Sequence, residues 1–202
     1  MPPKILGISG TNGSGKDTVG HMLEQGHNFF FVSVSDILRN YLKIQGVPLT
    51  REATAQLSSE WRRKYGLGVL IDKAIELYAT NGGDQKYNGL AIASLRNPAE
   101  ADSVHQYGGV VLWLDADPKI RYERIRKNQS NRGSDHAIVD NVSFEKFLAD
   151  QKAEMGELSS ADPTALSLNG VKSKCDLFLR NEDGDLDSLK AKLDQILGFN
   201  AS

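Results

Sequence analysis

Residues 10 to 18 read Gly10-Thr11-Asn12-Gly13-Ser14-Gly15-Lys16-Asp17-Thr18. The stretch follows a short apolar run, Lys4 to Ser9, and precedes a helical pattern, Thr18 to Glu24. Glycine tolerates backbone angles closed to other residues. Successive N–H groups in such a loop can therefore curl around phosphate oxygens. The helix that follows adds the positive end of its dipole, and Lys16 adds a full charge at the β- and γ-phosphates of a nucleotide. A plain flexible Gly/Ser turn would explain the glycines but not the lysine at this spacing between a strand and a helix. A dinucleotide fingerprint fails, because Thr18 stands where a third glycine is required. The usual phosphate-loop pattern has Ser or Thr directly after the lysine. Here Asp17 is there, either helping to hold magnesium or simply favoured by the helix dipole. Thr18 is suited to donate to an α- or β-phosphate.

The rest of the chain repeats the strand–helix alternation. Phe29 to Val34, Gly89 to Leu95, Gly109 to Asp115 and Asp176 to Arg180 are short apolar runs. Helical spacing is expected over Ile37 to Ile44, from Thr50 to about Tyr65, and over Val69 to Tyr78. It recurs over Pro98 to His105, after Pro118, over Val142 to Met155, and over Leu186 to Leu197. Asp36 and Thr50 are candidate N-caps. Gly156 to Lys174 reads as a long loop. Strands that are apolar throughout, rather than alternating, belong in a parallel sheet covered on both faces. Right-handed crossovers then gather the loops after the strands on one edge, where the chemistry is expected.

Composition narrows the classes. The chain has 202 residues, within the range of one domain, and 40% are hydrophobic, enough for a core. A net charge of −2 argues against a coat for nucleic acid or for an anionic membrane. The single cysteine, Cys175, excludes an internal disulfide and a cysteine zinc cluster. No apolar run reaches the roughly 18 residues of a spanning helix. The first residues carry no secretory pattern, so a cytoplasmic protein is expected. One local excess stands out: six basic residues and one acid, Glu123, between Lys119 and Arg132. In an acidic chain that excess suits anions, or else a solvated helix face.

Several segments carry a family resemblance. Gly15-Lys16-Asp17-Thr18 is similar to the loop of phage-type deoxynucleoside monophosphate kinases. Ser33-Val34-Ser35-Asp36-Ile37-Leu38-Arg39 resembles the S-T-G-D-x-L-R segment of adenylate kinases, with Val34 in place of the threonine. Ala91-Ile92-Ala93-Ser94-Leu95-Arg96 resembles a strand end written D-G-x-R or D-G-F-P-R, with Ala93 in place of the aspartate. Arg121-Tyr122-Glu123-Arg124-Ile125-Arg126 resembles the lid-entry helix, and Arg132-Gly133-Ser134-Asp135 a lid arginine. The chain thus resembles nucleoside monophosphate kinases of the adenylate kinase group, and is similar to dephospho-CoA kinases and their archaeal relatives.

The resemblance implies a P-loop NTPase three-layer fold over residues 1–202. It implies a five-stranded parallel sheet, a helical acceptor-binding arm over about 36–80 and a lid over about 128–141. ATP would be the donor on Gly10 to Thr18, with Mg²⁺ held by Asp17 or by Asp115, either of which would compensate for Ala93. Arg39 and Arg96 would clamp the acceptor's phosphate, and Arg62 would help. Lys16, Arg124 and Arg132 would stabilise the transferring group. Asp36 would activate an acceptor hydroxyl or merely cap a helix. A plain cationic helix end explains Arg62 nearly as well. The implied partner is a small-molecule phosphate acceptor, in first place a nucleotide, bound by a monomer or homodimer. Three readings stay open: a nucleoside or deoxynucleoside monophosphate kinase, a dephospho-CoA kinase-like hydroxyl kinase, and a non-kinase ATP-binding switch or assembly factor.

Overall fold

The five expected strands are β1 (Ile5–Gly10), β2 (Phe29–Ser33), β3 (Gly89–Ala93), β4 (Val110–Asp115) and β5 (Leu177–Arg180). In this computed structural model, which describes residues 2–127, 143–156 and 162–199, they form one sheet in the order β2-β3-β1-β4-β5. All neighbours are parallel. Ile8 lies beside Ala93 on one side and Leu112 on the other, Gly10 beside Leu114, and Ser33 beside Ala93. The carboxyl ends of β1, β2, β3 and β4 therefore share one edge of the sheet.

The helices are α1 (Lys16–His27), α2 (Val34–Ile44), α3 (Arg51–Tyr65), α4 (Val69–Thr80), the single turn α5 (Gly83–Lys86), α6 (Pro98–Gln106) and α7 (Pro118–Lys127). After the segment 128–142 come α8 (Phe144–Met155), α9 (Leu168–Lys172) and α10 (Leu186–Leu197). Strand alternation splits the core in two. Leu6, Ile8, Ala91, Ala93, Leu112 and Leu114 pack on α1 and α10. Leu90, Ile92 and Val111 pack with Leu38, Leu70, Ile71 and Val104 from α2, α4 and α6. Gly7 keeps this second layer close, since a Cβ there would lie 3.0 Å from Leu95 and 3.1 Å from Val104.

Three local expectations are corrected. The helix after β2 begins at Val34, directly behind Ser33, so Asp36 sits in the first turn and caps nothing. The third strand stops at Ala93 because Ser94 takes a left-handed conformation, φ 69. The expected loop over 156–174 contains α9, capped by the Ser167 hydroxyl. Thr50 does cap α3, its side chain accepting from the Ala53 amide. Trp61 is core, whereas Tyr65 one turn later is exposed. The expected lid, with Arg132, lies outside the described residues.

Candidate functional site

The turn between β1 and α1 is built on three left-handed glycines, Gly10 (φ 146), Gly13 (φ 81) and Gly15 (φ 100). Space as well as angle demands glycine at all three, a Cβ on Gly13 lying 2.8 Å from the Arg121 carbonyl oxygen. A Cβ on Gly10 would lie 1.9 Å from the Leu114 carbonyl oxygen, and one on Gly15 would lie 2.8 Å from Asn181 Nδ2. Gly15 is also the N-cap of α1, and among the described residues no side chain caps the amides of the first turn. Those amides are orphan donors, and the Ser14 hydroxyl is buried with no partner among the described residues. Lys16 Nζ folds back over the loop, donating to the carbonyl oxygens of Gly10 (3.1 Å) and Thr11 (2.8 Å). Burial, with Arg96 and Arg121 nearby, pulls this ammonium down to about 8 against the opposing pull of Asp17 and Glu154. A cationic group that is short of anions, beside uncapped amides and an unused hydroxyl, fits a phosphate chain.

Arginines brace the loop from behind. The Arg121 side chain is 1% exposed. Its Nε donates to the Ala116 carbonyl (2.8 Å), Nη1 to the Asn12 carbonyl (3.1 Å) and Nη2 to Gln151 Oε1 (2.5 Å). It thereby ties the loop to the end of β4 and to α8. Arg124 donates to the Asn181 carbonyl (2.9 Å) and to Asn181 Oδ1 (3.3 Å), while Asn181 Nδ2 donates to the Ser14 carbonyl (2.8 Å). Thr11 Oγ1 donates to Asp115 Oδ1 at 2.6 Å. Arg124 therefore supports the loop through Asn181, and Asp115 holds it through Thr11.

The arginines expected on an acceptor side are divided. Arg39 Nη1 donates to Asp36 Oδ1 at 3.0 Å, and both side chains reach solvent. Arg96, beyond the left-handed Ser94, lies close enough to Lys16 to depress it and pairs with Glu154 at 3.6 Å. Arg62 is different. It is buried, donating to Glu100 Oε1 (2.7 Å), Ser58 Oγ (3.1 Å) and the Thr164 carbonyl (3.3 Å). Its charge is spent on the core, and the expected substrate role is corrected to a structural one. Glu100 also accepts from the amides of Arg96 (2.7 Å) and Asn97 (3.1 Å) in a capping box. The spacing Asn97-Pro98-Ala99-Glu100 carries that signal in sequence, but the pairing with Arg62 does not show there. Arg51, Gln151 and Glu154 were also missed, since their partners lie far away in the chain.

Asp17 is exposed in the first turn of α1. No group of three or more His, Cys, Asp or Glu residues among the described residues could hold a metal ion unaided. A divalent ion would need oxygens from the nucleotide itself. A separate cleft of about 340 Å³ opens on the arm between Tyr41, Trp61, Tyr65, Asp72, Lys73 and Glu76, and no residue of the phosphate loop lines it. Among the described residues no helix is long and apolar enough to cross a membrane.

Solved structures with this architecture include a shikimate kinase from Bacteroides thetaiotaomicron, at TM-score 0.60 and 11% identity, covering 96% of this chain and 98% of that one. A shikimate kinase from Acinetobacter baumannii in complex with shikimate gives TM-score 0.55 and 16% identity, covering 100% of this chain and 97% of that one. TT1252 from Thermus thermophilus gives 0.57 and 18%, covering 100% of both chains. At such identities the likeness speaks for the fold. No curated protein matches the sequence. The family model for an AAA domain matches residues 6–147, from β1 through the phosphate loop into α8. With most of its length and the whole of this loop inside that match, the chain belongs to the AAA domain family of P-loop proteins.

Proposed function

We propose that this protein is an ATP-dependent phosphotransferase that moves the γ-phosphate to a nucleoside or deoxynucleoside monophosphate. One observation carries the reading: Arg96, in the loop after β3 beside Lys16, keeps its guanidinium 35% exposed with only a 3.6 Å pairing to Glu154. An anion-seeking side chain beside the donor lysine suits an acceptor that brings a phosphate of its own. Phosphoryl transfer asks the protein mainly for in-line positioning and charge neutralisation. The amides of Gly13 to Lys16 and the Lys16 ammonium hold the donor. Arg96 and Arg39 orient the acceptor, Arg39 by exchanging Asp36 for it. Arg124, and Arg132 from the segment outside the described residues, are proposed to stabilise charge on the transferring group. A clamp of this kind is worth on the order of 10³–10⁵ in rate. Magnesium arriving on the triphosphate would neutralise its charge, with Asp17 and Asp115 as the protein's ligands.

A hydroxyl acceptor is the second reading, and Asp36 favours it, since it caps no helix and its carboxylate reaches solvent beside Arg39. That carboxylate could accept the proton of an attacking hydroxyl. A screen for ADP release across ribo- and deoxynucleoside monophosphates and dephospho-CoA separates the two. A nucleoside monophosphate that raises ADP release well above the water background supports the first. If only a hydroxyl acceptor does so, and Asp36→Asn abolishes its turnover while Arg39→Ala merely weakens binding, the second holds. If no acceptor does, both fail, and a nucleotide-binding switch remains.

A further inference from the structure

Glu154 lies near the end of α8, beside the site just described. Its Oε1 is 3.6 Å from Arg51 Nη1 and 3.6 Å from Arg96 Nη1. The two guanidinium groups come from different places, the first turn of α3 and the loop after β3. Neither contact is short enough to be a good charge-assisted hydrogen bond, which would fall near 2.7–2.9 Å. The Arg51 and Arg96 side chains are 46% and 35% exposed, so the ion pairs are reachable from solvent and weakly held. Charge does not balance either. One carboxylate faces two guanidinium groups, and the Lys16 and Arg121 cations feel the same carboxylate. Of the other carboxylates acting on these cations, Asp17 lies in the first turn of α1, Asp115 ends β4 and Asp117 lies between β4 and α7, all on the phosphate-loop side.

We propose that Arg51 and Arg96 form an anion subsite for the phosphate-monoester group of the acceptor, with Glu154 as the internal anion that this group displaces. A phosphate monoester is the better occupant of such a pair. It brings nearly two negative charges and three acceptor oxygens, and each guanidinium can take it with two donors. Glu154 keeps the like-charged arginines together while the subsite is empty, and the acceptor must compete with it. The subsite thus selects for anionic acceptors over neutral ones of the same shape. This inference rests on the donor-loop reading, because it places the acceptor anion next to a bound nucleotide.

The test is a calorimetric titration of inorganic phosphate into wild type, Glu154→Gln and Arg51→Ala, each first saturated with Mg·ADP so that the loop is filled. Glu154→Gln should bind phosphate roughly three- to tenfold more tightly than wild type, and Arg51→Ala by a similar factor more weakly. Equal or weaker binding by Glu154→Gln, or unchanged binding by Arg51→Ala, overturns the subsite. Failure of the donor-loop reading shows separately, as absence of Mg·ADP binding in the first titration. In that event the same phosphate series in a Lys16→Ala background, where the loop lacks its cation, still decides on the ordering of the variants.

Discussion

Lys16 is an ammonium that spends the free state on two loop carbonyls and loses part of its affinity for the proton there. A triphosphate would reverse that, since it favours the charged form. The sign follows. Below pH 7 the lysine is already protonated in the free protein, and nucleotide binding moves no proton at this site. Above its value of about 8, binding must take up a proton, and affinity should fall toward tenfold per pH unit. Calorimetry at pH 9 in buffers of different ionisation enthalpy should report an uptake approaching one proton, and a buffer-independent heat would contradict the assignment. Lys16→Ala should keep the fold and lower ATP affinity at least about a hundredfold, given a charged hydrogen-bonded contact worth about 3 kcal/mol. Thermal melting and nucleotide titration check the two halves of that statement. At Glu100 the expectation is the opposite, with fold lost before function. Removing the carboxylate in Glu100→Ala strands the buried Arg62 charge, which should cost about 3–5 kcal/mol in urea unfolding.

At the scale of elements, Arg121 ties α7 and α8 to the phosphate loop. It bonds the loop at Asn12, Ala116 just beyond β4, and α8 at Gln151. Arg121→Ala should therefore weaken ATP binding and stability together, by roughly tenfold in affinity and about 2–4 kcal/mol in unfolding. Parallel nucleotide titrations and denaturation curves would show a merely structural strut as lost stability with unchanged affinity. Helix α1 has its own constraint. A Cβ on Gly20 would come within 2.1 Å of the Phe31 ring on β2, so the helix can lie this close to the sheet only with glycine there. Gly20→Ala should destabilise by about 1–3 kcal/mol despite the better helix propensity of alanine, and a gain in melting temperature would contradict this packing. The elements themselves were readable because the apolar runs are short, uniform and punctuated by Gly, Pro and Asn. Thr50 capping α3 shows how far local chemistry reaches. Asp36 shows where it stops: the chain turns helical one residue after β2 because Val34 and Leu38 are needed in the core, which leaves the aspartate in the first turn.

Over the whole molecule, the order β2-β3-β1-β4-β5 brings Ser33, Ser94, Gly10 and Asp115 to one edge, and the phosphate loop and Arg96 follow directly from it. The amino-acid sequence alone determined the parallel sheet and the phosphate loop, because both are written in neighbouring residues: uniform apolar runs in one case, and glycines with a lysine at fixed spacing in the other. The tertiary structure decided which arginines are free. Arg62 and Arg96 look alike along the chain, yet Arg62 meets Glu100 in the core while Arg96 stays by Lys16 with a loosely held Glu154. That choice depends on partners 38 and 58 residues away in sequence. A guanidinium's availability is set by which carboxylate the fold brings to it and how much water is left around the pair, and local sequence specifies neither.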